Sequence, residues 1–474
     1  MITTERMGAV DRNAEALSVP RKQLMESSGN AVARTVREEA SEGDSVTVVA
    51  GRGNNGGDAF VAARFLDEFD LSVLLLGRPE SISTDIAREN WEALRGGGYE
   101  VETITDSADL SFDDPDVIVD AMLGTGISGD LREPEATAAR TINDAEATVV
   151  SVDVPSGVDA DSGDVPESAV EADRVVTFHD LKPGLAELDC EVTVADIGIP
   201  RAAERYAGPG DLSIGAPDPD AAETRVFVVG GGPYTGAPAL SAQAALRAGA
   251  ELSFVACPES IKDVLAGYAE DLIVQDYESD RLTVDEVDDL IETATDYEDV
   301  VVLGPGLGTA DETLEAARTF LEEFEGPMVV DADALSVVPE VETDATLVCT
   351  PNRRELAEMG GPDLDDLEAG AEEIESFAAD LGHVVMAKAE ADVVSDGERT
   401  RISTAGTPGM AVGGTGDTLA GITAAFVKES DPFDAAVAAS YANGRAAELI
   451  DDREGGLLAS DLLDVLPRAI WGER

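Results

Sequence analysis

SVTVVAGRGNNGGDAFVAARFLDEF, residues 45–69, decides the fold. Ser45–Ala50 is a β-branched, apolar run that suits a strand. GRGNNGGD (Gly51–Asp58) then makes a glycine- and asparagine-rich turn, and AFVAARFLDEF (Ala59–Phe69) reads as a helix. Strand, tight loop and helix form the repeating unit of a parallel α/β sheet, and such loops present main-chain N–H groups to a phosphate at the helix N-terminus.

The rhythm continues outward. LSVLLLG (Leu71–Gly77), VIVDAMLG (Val117–Gly124) and ATVVSVDVPSG (Ala147–Gly157) alternate with helical patterns, which predicts parallel sheets with helices on both faces. Upstream, Met7, Val10, Ala14 and Leu17 fall at helical spacing, and a second helix is expected over Arg21–Glu39. GPGDLSIGAPDPDAAET (Gly208–Thr224) interrupts the pattern as a linker. The βα rhythm restarts in RVFVVGGG, ELSFVACP, DVVVLGPGLG, GPMVVDADAL and ATLVCTPN. Two domains are expected, over 1–212 and 222–474, joined by 213–221.

The bulk composition narrows the function. Aromatics make up only 4% against 43% apolar residues, so the core is aliphatic. The formal charge is −66, from 32 Lys+Arg against 98 Asp+Glu spread along the chain. Such a surface repels nucleic acid and anionic membranes, so neither is expected as a partner. Lysine occurs only at positions 22, 182, 262, 388 and 428. Dispersed carboxylates with so little lysine suggest a halophilic protein in a salty cytoplasm that screens self-repulsion. Cys190, Cys257 and Cys349 form no CxxC pair and read as reduced thiols. No long apolar run or signal-like start is present, so a cytoplasmic location is expected. His179 and His383 are too few for a zinc site or a Ser-His-Asp triad.

Three loops in the first half sit where strands end, and strand carboxyl ends form the ligand crevice of an open α/β sheet. They are GNNGGD (Gly53–Asp58), DAMLGTGISGD (Asp120–Asp130) and DVPSG (Asp153–Gly157). Oxygens of Asn55, Asp120 and Ser156 suit a hard monovalent cation. Alternatively, Asp120 and Asp153 only cap turns. Together with FHDLKPGL, these loops resemble the NAD(P)H-hydrate epimerase family across essentially the whole first domain. The resemblance implies a Rossmann-like three-layer domain acting on NADHX and NADPHX, nicotinamides hydrated at C6. It implies substrate contacts from Asn54, Asn55, Gly56, Gly57 and Asp58, and from Gly124, Thr125, Gly126, Ile127, Ser128, Gly129 and Asp130, with Asp153. It also implies a potassium ion on Asn55, Asp120 and Ser156. The C6 hydroxyl lies beside a ring nitrogen whose lone pair can expel it, so one acid/base group suffices to interconvert the R and S forms. Asp153 is the first candidate and Lys182 the second; the bland reading of Lys182 is a snorkelling surface lysine.

The second half carries GGGPYTGAPAL (Gly230–Leu240), GPGLG (Gly304–Gly308), VVDADAL (Val329–Leu335), CTPNRREL (Cys349–Leu356) and GTPGMAVGGTGDTLAGITAAF (Gly406–Phe426). In the last, glycines expose N–H groups at a helix start beside Asp417, an arrangement that stabilises a phosphoryl group in transfer while the carboxylate accepts a hydroxyl proton. The alternative is an Asp that caps a core helix. The set resembles the ribokinase-like family and, within it, the ADP-dependent NAD(P)H-hydrate dehydratases. The resemblance implies that Ala237, Gly306 and Asn352 contact the hydrated nucleotide and that Asp417 is the base. Lys388 and Gly406, Gly409 and Met410, with Gly413, Gly414, Thr415 and Gly416, are then expected at the ADP. Magnesium is expected on the phosphates, and a homo-oligomer is expected. Asn352 departs from the family's usual histidine, and KAEAD (Lys388–Asp392) from its usual Lys-Gly-Ala. MESSG (Met25–Gly29) and Ala59 are minor departures. The whole reads as a fused repair enzyme; the alternative is a vitamin-type kinase joined to a non-catalytic Rossmann-like binding domain.

Overall fold

The computed structural model describes residues 1–126, 129–219, 223–450 and 456–472. Its chain divides into two compact units, Met1–Arg201 and Ala202–Arg474.

In the first unit the strands are β1 (Ser45–Ala50), β2 (Asp70–Leu76), β3 (Val101–Ile104), β4 (Val117–Ala121), β5 (Thr148–Val152), β6 (Arg174–Phe178) and β7 (Glu191–Ala195). Among the described residues they form one sheet in the order β3-β2-β1-β4-β5-β6-β7, parallel throughout. The order reverses between β1 and β4, which opens a crevice at their carboxyl ends. Both faces of β1 are buried, as expected of a strand covered by helices on each side. The expected helix over residues 21–39 is Arg21–Glu39, and the opening stretch folds as β1 followed by the helix Asn54–Arg64. Gly51 is required at the turn between them, since a Cβ there would stand 1.7 Å from the Met122 carbonyl oxygen.

The second unit uses β8 (Arg225–Val229), β9 (Leu252–Pro258), β10 (Ile273–Tyr277), β11 (Val300–Leu303), β12 (Met328–Val330), β13 (Leu347–Cys349), β14 (Val384–Ala387), β15 (Asp392–Ser395) and β16 (Thr400–Ser403). Among the described residues their order is β10-β9-β8-β11-β12-β13-β14-β15-β16. Alternate residues of β8 and β11 serve opposite faces: Val226, Val228 and Val302 join one cluster, Phe227, Val229 and Val301 the other. The first cluster is rich in alanine, including Ala420, Ala435, Ala438 and Ala442. These small side chains let helices approach closely.

Two expectations are corrected. The sheet is not wholly parallel: β15 runs antiparallel to both β14 and β16, because connections of only four residues join antiparallel neighbours but cannot make a parallel crossover. The domain boundary lies at residue 201 and not at 212. Tyr206 bridges to Ile402, Ala207 N–H donates to the Ile402 carbonyl at 2.8 Å, and the Tyr206 hydroxyl donates to Glu368 at 2.6 Å. The supposed linker also includes the short helix Leu212–Gly215, where Gly215 packs against the Asp434 carbonyl.

One close approach places the second unit's chemistry. The helix Gly236–Arg247 meets the helix Thr415–Val427 at Gly421, where a Cβ would lie 2.0 Å from the Ser241 carbonyl oxygen. Gly421→Ala must therefore separate two backbones. A loss of about 3 kcal/mol is expected, read as a lower urea midpoint for this unit, together with reduced activity because Asp417 moves with its helix.

Two candidate active sites

In the first unit, the loops after β1, β4 and β5 converge. The Asn55 side-chain amide donates to the Leu123 carbonyl at 2.9 Å, and Leu123 N–H donates to Ser156 Oγ at 3.0 Å. Asp120, at the end of β4, is fully buried. It accepts from Ser151 Oγ at 2.8 Å, Ser156 N–H at 2.9 Å, Ser156 Oγ at 2.6 Å and Met122 N–H at 3.3 Å. Burial raises its carboxyl against the pull of these donors. Asn54 Oδ1 accepts from the Thr84 hydroxyl at 2.7 Å. Gly56 and Gly57 are packed against Gly51 and Met25, while Gly124 lies beside Asn55. Thr125, Gly126, Gly129 and Asp130 continue this loop; Ile127 and Ser128 lie outside the described residues.

Asp153 follows β5 with φ 65°. Its Oδ1 accepts from Lys182 Nζ at 2.8 Å, Thr177 Oγ1 at 3.1 Å and Phe178 N–H at 3.3 Å. Lys182 is fully buried and also donates to the Phe178 carbonyl at 2.8 Å, which sets aside the snorkelling reading. Asp58 is buried on the helix Asn54–Arg64; burial, then the charges of Asp153 and Asp11, push its carboxyl well above the usual range. Asp11 belongs to this cluster and was missed in the sequence. Burial raises its carboxyl against the pull of Arg21, with Asp153 adding to the rise and His179 and Lys182 opposing it.

In the second unit, the residues after β12, β13 and β14 meet the start of the helix Thr415–Val427. Asp331 is buried, and its Oδ1 accepts from Lys388 Nζ at 2.6 Å and from Thr350 Oγ1 at 2.7 Å. Asp331 and Thr350 lie within the motifs VVDADAL and CTPNRREL, but neither was given a role from the sequence. Burial, then Asp331's charge, lift Asp417 to about 7 against the pull of Lys388, with Glu355 adding to the rise. The Asp417 carbonyl accepts from the Ser241 hydroxyl at 2.9 Å, which ties the base's backbone to the helix bearing Ala237. Gly414 has φ +106° and precedes the helix as its N-cap, a conformation that favours glycine. Thr415 Oγ1 donates to the Met410 carbonyl at 3.0 Å, and Gly406 N–H donates to Glu448 at 3.1 Å. Gly409 lies in the turn Pro408–Met410, and a Cβ on Gly413 would meet nothing within 4 Å. Gly306 packs under Tyr234, and Gly308 N–H donates to Asp333 at 2.8 Å.

The departures have local causes. Asn352 caps the helix Arg353–Glu358: its Oδ1 accepts from Arg354 and Glu355 N–H at 3.0 and 3.1 Å, while Glu355 accepts from Asn352 N–H at 2.9 Å. The KAEAD loop is closed by Asp392, which accepts from Ala389 N–H at 2.9 Å and Ser440 Oγ at 2.7 Å.

Comparison with known proteins follows the same division. A family model described as "YjeF-related protein N-terminus" matches residues 21–184, and one described as "NAD(P)H-hydrate dehydratase" matches 226–468. Three curated relatives carry the name bifunctional NAD(P)H-hydrate repair enzyme. That of Methanothermobacter thermautotrophicus is 41% identical, over 97% of this chain and 93% of its own. That of Archaeoglobus fulgidus is 40% identical, over 99% and 98%. That of Pyrobaculum aerophilum is 42% identical, over 99% and 98%. With likeness running through both units at nearly full length, this chain belongs to the family of bifunctional NAD(P)H-hydrate repair enzymes.

Proposed function

We propose that the chain restores hydrated nicotinamide nucleotides in two steps, epimerising R and S NAD(P)HX in the first unit and dehydrating the S form in the second, with ADP converted to AMP and phosphate. The observation that carries the reading is Asp417: a carboxyl held near neutrality at a glycine-lined helix start, beside an ammonium. A base of that strength takes a hydroxyl proton at physiological pH.

Hydroxide leaves poorly from C6. As Asp417 takes the C6 hydroxyl proton, the oxygen attacks the β-phosphorus of ADP and AMP departs. The ring nitrogen then expels phosphate from C6, and loss of a C5 proton restores the dihydropyridine. Lys388, with the main-chain amides of Gly414, Thr415 and Gly416, holds the phosphates; Gly406, Gly409, Met410 and Gly413 line the nucleotide's path. Ala237, Gly306 and Asn352 orient the hydrated ring, Asn352 through its amide NH2, since its Oδ1 is engaged in capping. Among the described residues no cluster of three or more His, Cys, Asp or Glu is suited to a metal. Magnesium is assigned to the ADP phosphates, whose charge it would neutralise.

In the first unit Asp153, with Lys182 on its Oδ1, exchanges the proton that lets the C6 hydroxyl leave one face and return on the other. Asp120 fits a potassium site: it is a fully buried carboxylate whose recorded partners are all neutral donors. Asp120, Asn55 and Ser156 would hold a potassium ion there, which would supply the compensating charge. The loops 54–58 and 124–130 bind the nucleotide. A homo-oligomer remains part of the proposal. No helix among the described residues is long and apolar enough to cross a membrane.

Stoichiometry tests the reading. With S-NADHX, ADP and Mg2+, one AMP and one phosphate should appear for each NADH. Accumulation of a stable phosphorylated substrate would identify a kinase instead.

A further inference from the structure

We propose that Asp331 is a positioning residue of the dehydratase site, holding the Lys388 ammonium away from Asp417 so that Asp417 stays free to take a proton. This rests on the dehydratase reading above and assigns a task to a carboxylate that the mechanism leaves unused.

The geometry is that of a fixed anchor. Asp331 Oδ1 accepts from both Lys388 Nζ and Thr350 Oγ1, at 2.6 and 2.7 Å. Its backbone is equally constrained: Asp331 N–H donates to the Leu303 carbonyl at 3.0 Å, and a Cβ at Gly304 would stand 1.9 Å from the Asp331 carbonyl oxygen. Lys388 is tethered at its other end, where its N–H donates to the Pro351 carbonyl at 2.8 Å. The ammonium therefore sits over the start of the helix Thr415–Val427, where a Cβ on Gly416 would lie 3.0 Å from Nζ. Asp417 is the next residue, yet no hydrogen bond between Lys388 and Asp417 is recorded among the described residues. A flexible lysine beside two carboxylates pairs with whichever is better placed, and here the better-placed one is Asp331.

That choice matters for the base. An ammonium bonded to Asp417 would favour its charged form and leave a weaker base. The titratable groups facing Asp417 are Asp331 after β12, Glu355 on the helix Arg353–Glu358 and Lys388 after β14. Burial opposes the charge on Lys388, but Asp331, Glu355 and Asp417 outweigh it and hold the lysine above its usual value, so it stays a cation. An ammonium has three donors. With one given to Asp331, two remain for ADP phosphate oxygens, so the lysine serves the nucleotide without leaving its anchor.

Asp331→Asn keeps the shape and an acceptor for Thr350 while removing the charge. In the pH profile of kcat for S-NADHX with ADP and Mg2+, the wild-type acid limb should have its midpoint near 7, and the variant's should fall by about one pH unit or more. In a Lys388→Met background only the direct effect of Asp331's charge on Asp417 remains, so the same substitution should shift the midpoint by less. Equal shifts in the two backgrounds, or an acid limb that stays in place while the rate falls, would overturn the proposal. Asp331→Ser carries the same expectations if the asparagine variant does not fold. The infrared carboxyl band of Asp417, identified by its loss in Asp417→Asn, gives the same midpoints without turnover. An inactive wild type would count against the dehydratase reading, whereas an unshifted Asp417 band counts against the role of Asp331 alone.

Discussion

Asp417→Asn is expected to lower dehydration of S-NADHX by about 10³-fold, the scale of a lost general base, while leaving epimerisation intact. Asparagine preserves size and backbone, so the Ser241 hydrogen bond to the Asp417 carbonyl and the helix start survive. What disappears is the group that takes the C6 hydroxyl proton. The sign with pH follows from the raised carboxyl. The base works deprotonated, so wild-type activity should rise with pH through about 7, and Asp417→Asn should lose that limb. Initial rates of NADH recovery from S-NADHX between pH 5 and 9 check both statements. A variant with wild-type rates would remove Asp417 from the chemistry.

Asp153→Asn is expected to slow epimerisation by about 10²–10⁴-fold and to leave dehydration of the S form unchanged. With a mixture of R and S NADHX, such a variant should restore the S fraction quickly and the remainder only at the spontaneous rate. The substitution also leaves Lys182 buried beside a neutral partner, so the first unit should lose about 3 kcal/mol if the lysine stays charged. The two effects separate experimentally: stability is read from urea unfolding, and chemistry from the rate at which R-NADHX is consumed by folded protein. Wild-type epimerisation by the folded variant would shift the acid/base role to Lys182 or to the carboxyls of Asp58 and Asp11.

Much of this was legible in the sequence. GNNGGD and DVPSG stand out because glycine, Asn, Asp and Ser at the end of an apolar run satisfy loop backbone, and they follow β1 and β5, while GGTGD opens the helix Thr415–Val427. The helix Arg21–Glu39 was legible from its apolar spacing. Other features were hidden for physical reasons. The Asp331–Lys388 pair joins residues 57 apart, across the ends of β12 and β14, and no local pattern records it. Asp11 sits on a helix recognisable only by its apolar face, and what its carboxyl meets depends on where β5 and β6 end. Residues 202–212 look like the close of one domain, yet Tyr206 and Ala207 find their backbone partner at Ile402, nearly two hundred residues later. The edge strand β7 has three exposed residues, one half-buried and only Ala195 buried, and gives little apolar signal.

The central claim is that one chain holds both an epimerase and an ADP-driven dehydratase. Its most direct measurement is the final yield of NADH, followed by absorbance, when the purified chain meets an R/S mixture of NADHX with excess ADP, Mg2+ and KCl. Recovery of the whole mixture, well ahead of spontaneous epimerisation, is the expected result. Recovery that halts at the S fraction would contradict the claim for the first unit, and no recovery with either isomer would contradict it for the second.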